Sequence, residues 1–79
     1  MQTSDLQNAM EEMLRNFISL GNIIALHPEQ LSEVRKDFEI LRLEIFITVK
    51  QANLAAMAIS DTLMHISTIA DQAKNLLSS

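Results

Sequence analysis

Seventy-nine residues with a formal charge of −4 allow one small domain, of a size at which a single core supplies only about 3 to 5 kcal/mol and a staple or an oligomer often supplies the rest. The chain has no cysteine, which excludes a disulfide framework and a thiolate metal site and leaves self-association as the natural staple. Ten acidic residues against six basic ones, with no basic stripe, exclude the clustered Lys and Arg that nucleic-acid affinity rests on, so no nucleic acid is expected as a partner.

The composition is 48% hydrophobic but only 4% aromatic; the apolar mass is Leu, Ile, Ala and Met, which is the material of helical bundles. The start, "MQTSDLQNAMEEML", lacks a basic segment followed by an apolar run. Its expected location is therefore the cytoplasm, or outside it by a route that requires no signal peptide.

Residues 4 to 7, Ser-Asp-Leu-Gln, form a Ser-x-x-Gln capping box and predict a helix over about 5–26. Along it Leu6, Met10, Met13, Leu14, Phe17, Ile18 and Leu20 recur at three and four, while Gln7, Glu11, Glu12, Arg15 and Asn16 take the other side. Gly21-Asn22 is a weak spot through which the helix continues to about Leu26. His27 precedes the only proline, Pro28, which disfavours helical angles at His27 and suits the first turn of a new helix. A turn is predicted at 27–28, and Glu29 and Glu33 complement the dipole of the helix that restarts there.

Beyond Pro28 there is no glycine or proline. Positions alternating by three and four read Leu31, Val34, Phe38, Leu41, Ile45, Thr48, Ala52, Ala55, Ile59, Thr62, Ile66, Ile69, Ala73 and Leu76, all apolar except the two threonines. This seven-residue period is that of a coiled-coil seam. A second row, Leu43, Phe46, Ile47, Leu54, Met57, Ala58, Leu63, Met64, Ala70 and Leu77, widens the stripe beyond a two-helix seam. The segment "LEIFITV" (43–49) is rich in β-branched and aromatic residues, yet no second strand-like run exists to pair with it, so it too reads as helix.

A helix over 29–77 would be about 75 Å long, whereas the first helix reaches only about 30 Å. The expected fold is therefore all-α: a helical hairpin with a long second helix whose uncovered half is buried by oligomerisation. The alternative is a three-helix bundle, with a break near 50–53 and Asn53 capping the third helix. In the hairpin reading the protein interface comprises Leu31, Val34, Phe38, Leu41, Ile45, Ala52, Ala55, Ile59, Ile66, Ile69, Ala73 and Leu76, and the partner is a second copy or another helical protein. Ala52, Ala55, Ala56, Ala58, Ala70 and Ala73 permit close helix approach in the charge-poor half.

The window 51–70 has a membrane-spanning length but contains Asn53, Asp61 and His65, and a central Asp costs about 2.5 to 3.5 kcal/mol on insertion scales. No membrane partner is expected. Ser60, Asp61 and His65 are the one cluster that suggests catalysis, with Asp61 and His65 four apart on one helix face. A nucleophile also requires an oriented base and an oxyanion site, and a chain whose only glycine is remote offers neither nest nor elbow. A hydrogen-bonded or solvated pair is the expected state. With His27 and His65 as the only histidines, a zinc site within one chain lacks ligands. No catalytic, cofactor or metal site is expected, and the four internal methionines read as core filling. Charges from Glu29 to Lys50 mix signs, with Lys36/Glu39 and Glu39/Arg42 at attractive spacings, as a solvated face or a partner-selecting rim would have.

The stretch "HPEQLSEVRKDFEILRL" (27–43), a proline turn followed by apolar positions at Leu31, Val34, Phe38, Leu41 and Leu43, resembles the turn and second-helix start of the needle and inner-rod subunits of bacterial type III secretion systems. "AISDTL" (58–63) is faintly similar to the small-and-apolar end of inner-rod proteins. The resemblance implies a hairpin subunit that polymerises helically around an export conduit. The other function class expected from the stripe is a small helical chaperone or adaptor.

Overall fold

The computed structural model describes residues 3–50 and 56–78, and in these it is all-helical: α1 (Thr3–Leu26), α2 (Ser32–Lys50) and α3 (Ala56–Ser78). The fold measures 42 × 19 × 16 Å, a prolate bundle about one helix long. The expected hairpin with one helix over 29–77 is not what forms. A helix of that length would run to about 75 Å, and Glu44 and His65, about 31 Å apart along such a helix, are in hydrogen-bond contact at 2.7 Å. The lower half therefore folds back on the upper half, in the arrangement of the three-helix alternative. The expected break near 50–53 and the Asn53 cap fall on residues 51–55, outside the described set, apart from Lys50, which ends α2.

α1 runs through Gly21-Asn22 to Leu26 without interruption, as the weak-spot reading anticipates. It starts at Thr3, two residues before the expected 5, and the Ser4 cap falls on a side chain outside the described set. The reversal spans more than the predicted 27–28, because the chain makes a turn over 28–31 before α2 begins. His27 closes α1, its N–H donating to the Ile24 carbonyl (3.2 Å), and opens the next turn, its own carbonyl accepting from Leu31 N–H (3.0 Å). Pro28 sits where its missing N–H costs nothing. No described residue has positive φ, so the proline constraint on His27, and no left-handed cap, ends α1.

Each helix supplies branched or flexible aliphatic residues to one core: Met13, Leu20 and Ile24 from α1, Val34, Leu41 and Ile45 from α2, Ile59, Ile66, Ile69 and Ala73 from α3, with Leu31 entering from the turn. α3 packs extensively against both other helices, whereas α1 and α2 touch over a shorter seam. The threonines that interrupt the stripe are also buried: Thr48 donates to the Glu44 carbonyl and Thr62 to the Ala58 carbonyl, each at 2.9 Å. Bonding to the carbonyl four residues back satisfies the hydroxyl inside its own helix, so neither threonine requires a polar partner across the core.

The α1/α2 seam is built on a close approach. Phe17 and Phe38 stack with ring centroids 4.5 Å apart and planes within 2°. The Phe38 ring lies so near the α1 backbone that a Cβ on Gly21 would sit 2.9 Å from its Cζ. The glycine, read from sequence only as a loosening of the helix, serves here to admit an aromatic ring. Gly21→Ala gains about 0.8 to 1.0 kcal/mol of helix propensity but must push the ring out of its stack. Urea denaturation should show no such gain in the wild type and its return, about 0.5 to 1 kcal/mol, in a Phe38→Leu background. Equal effects in both backgrounds would mean that the ring contact carries no energy.

Candidate functional site

The residues expected to face a partner lie mostly inside the chain's own core. Leu31, Val34, Leu41, Ile45, Ile59, Ile66, Ile69 and Ala73 are all buried, Phe38 is half-buried in the ring stack, and Leu76 is 40% exposed; Ala52 and Ala55 lie outside the described residues. The correction has a simple cause. A seven-residue apolar period states that a helix meets another helix, and is silent on whether that helix belongs to the same chain.

What the fold leaves uncovered is the second row. Ile40, Leu43, Phe46 and Ile47 of α2 are 62, 57, 59 and 58% exposed. Spacings of three and four place Ile40, Leu43 and Ile47 on one outward face, opposite Leu41, Ile45 and Thr48. Apolar residues on both faces make α2 the least amphipathic of the three helices. Its surface charges border this ridge: Arg42 Nε meets Glu39 Oε2 at 3.0 Å, Lys36 Nζ lies 3.5 Å from Glu33 Oε1, and Lys50 Nζ sits 5.2 Å above the Phe46 ring. All of these are solvent-exposed and contribute little stability.

On the side of the bundle away from α2, helices α1 and α3 part to form an open groove of about 560 Å³. Its walls include Leu20 and Ile23 from α1 and Leu63, Ile66, Ala70 and Leu77 from α3, with Asn16, Ser19, Ser67 and Lys74 among its polar margin. The volume is within the range of ligand clefts, but no charged side chain is buried in it.

The candidate catalytic cluster does not assemble. The His65 ring N–H at Nδ1 donates to Glu44 Oε2 across the α2/α3 seam at 2.7 Å, a partner that sequence reasoning missed because the two residues are 21 apart. His65 thus pairs with α2 and not with Asp61. Both side chains are about two-fifths exposed, so this is a surface ion pair or hydrogen bond of modest energy. His27 acts through its backbone in the turn. Among the described residues no three His, Cys, Asp or Glu side chains converge on a metal position, and no helix is long and apolar enough to cross a membrane.

Comparison of the chain with protein-family models, with curated proteins and with solved structures gives no match. The surface feature that remains is the α2 ridge, which can exclude water against another apolar surface.

The two faces of α2 should separate cleanly in thermal denaturation at low protein concentration. Ile45→Ala removes a core side chain and is expected to cost about 2 to 5 kcal/mol, whereas Ile47→Ala, two residues on, should stay within about 0.5 kcal/mol. Similar costs at both positions would contradict the outward placement of Ile47.

Proposed function

We propose that this chain is a non-enzymatic helical protein that works by associating with copies of itself, the outward face of α2 being the surface it offers. The observation that carries the reading is the exposure of Ile40, Leu43, Phe46 and Ile47 by more than half on a single helix. Isolated exposed apolar side chains are ordinary, but a contiguous set on one face marks an interaction surface.

The absence of cysteine leaves association as a source of the stability that a core this small supplies sparingly. The likeness of residues 27–43 to needle and inner-rod subunits supports a structural subunit of a secretion-type assembly as the biological setting. The net charge of −4 speaks against nucleic acid as the partner.

A second reading is favoured by a different observation. Met57 and Met64 of α3 are 75 and 67% exposed, and exposed methionines adapt to varied apolar partners, as a chaperone or adaptor that binds another helical protein requires.

Sedimentation velocity from low to high micromolar concentration tests the first reading. The weight-average mass should rise with concentration in the wild type and much less in Ile40→Asp/Ile47→Asp. A monomer across the whole range overturns self-association. Monomeric behaviour with aggregation that only a co-expressed neighbouring gene product suppresses would favour the adaptor reading.

A further inference from the structure

We infer that this chain exchanges α3 between copies. In a closed two-fold dimer the α3 strip of each copy packs on α1 and α2 of the other, and α2 and α3 of one chain run on as a single helix. The exchange does not use the α2 ridge, which stays on the outside in either state, so it stands or falls apart from the association proposed above.

The apolar stripe keeps its phase from α2 into α3. Leu41, Ile45 and Thr48 of α2 and Ile59, Thr62 and Ile66 of α3 are buried, and spacings of three and four lead from the first set to the second through Ala52 and Ala55 without a slip. A chain that reverses can set its next helix at any of the seven heptad phases, because the connection absorbs the rotation. Only a helix that runs through requires the phase to be kept, and keeping it puts both core faces on one side of a straight helix. Residues 51–55, Gln-Ala-Asn-Leu-Ala, contain no glycine or proline that would forbid such a run.

The register of α2 against α3 is symmetric about the same point. Glu44 and His65, in contact at 2.7 Å, lie equally far on either side of the midpoint between residues 54 and 55. An antiparallel pairing centred there is the same whether its two segments belong to one chain or to two chains related by a two-fold axis. The contacts of α3 with α1 and α2 can therefore all be remade between copies, while the Phe17–Phe38 stack stays within each. What would cover α3 in the dimer is the surface that covers it in the single chain, so a second copy fits by identity. Exchange of identical elements about a two-fold axis closes at two copies.

Opening the bundle means detaching Ile59, Ile66, Ile69 and Ala73 from both neighbouring helices. Monomer and exchanged dimer should therefore interconvert slowly, in a ratio set by the protein concentration during refolding, whereas association through an exposed ridge reverses on dilution.

The absence of native cysteine permits a direct test. Glu44→Cys and His65→Cys, at positions about two-fifths exposed, are placed in separate full-length chains, mixed in denaturant, refolded together at high micromolar concentration and treated with a short bis-maleimide. Exchange sets position 44 of one chain beside position 65 of the other, so a covalent heterodimer should form, and far less of it when the two chains are refolded apart and then mixed. The wild-type dimer should persist on dilution, with a maximum dimension by X-ray scattering of about 75 Å against 42 Å for the single bundle. Asn53→Ala should raise the dimerisation constant about fivefold, because alanine favours helix over asparagine twice in each dimer. A Gly-Ser-Gly-Ser insertion after Asn53 should abolish the heterodimer and leave the helical content by circular dichroism unchanged. Ile40→Asp/Ile47→Asp, added to both cysteine chains, should leave the heterodimer as it was. If no heterodimer forms on co-refolding, or if it survives the insertion, or if the ridge substitutions remove it, exchange is wrong whatever the ridge does; association of the wild type that reverses on dilution would then belong to the ridge alone.

Discussion

Burial of the Ile59, Ile66, Ile69 and Ala73 strip of α3 between α1 and α2 is the contact on which the remainder of the bundle depends. Without it, a hairpin of α1 and α2 would leave Met13, Leu20, Leu41 and Ile45 only partly covered, since those two helices share the shorter seam. Each such residue is worth about 1.5 to 3 kcal/mol when taken from water, far more than the exposed pair of Glu44 and His65. β-branched residues suit this role, because valine and isoleucine hold essentially one rotamer in a helix and lose little further freedom on packing. The polar atoms the strip contains are neutralised locally, by threonine hydroxyls turned back onto their own helices, so the core makes no demand for a polar network.

That arrangement explains which parts of the fold could be read from the residues. α1 was legible because three signals agreed: an apolar period of three and four, a capping signature at its start and Pro28 just past its end. Nothing comparable marks the second reversal. The residues from Lys50 onward are Gln, Ala, Asn, Leu and Ala, good or tolerable helix formers with no proline or glycine among them, so local propensity argued for continuity. What local propensity does not state is tertiary: the apolar stripe of α3 is buried on α1 and α2, cover that an extension of α2 into solvent would not supply.

The same reasoning explains the misplaced interface. The seven-residue period from Leu31 to Leu76 was real, and its members do meet a neighbouring helix, but the neighbour is supplied by the same chain once it reverses. The outward ridge is also present in the sequence as the second row of Leu43, Phe46 and Ile47, whose spacing suggests a wider single stripe; in the fold these residues face the other way. Ile40, which belongs to that ridge, was in neither row. Glu44 and His65 were invisible as a pair, because their meeting depends on the register of α2 against α3, which no local pattern states.

A helix with apolar residues on two faces has a consequence for how folding and association are linked. The ridge overlaps the segment "LEIFITV", whose β-branched and aromatic residues have low intrinsic helix propensity and high strand propensity. α2 is thus the helix least able to stand by itself, and its helical state is held by tertiary contacts on its inner face. Under the proposed assembly a second apolar surface would hold it on the outer face as well, and whatever binds the folded state but not the unfolded one stabilises it in proportion to the logarithm of its concentration. Dilute protein would then be both less associated and less stable, with a segment prone to strand pairing exposed whenever α2 frays. Covering the ridge in such an assembly, in preference to leaving it in water, removes that hazard.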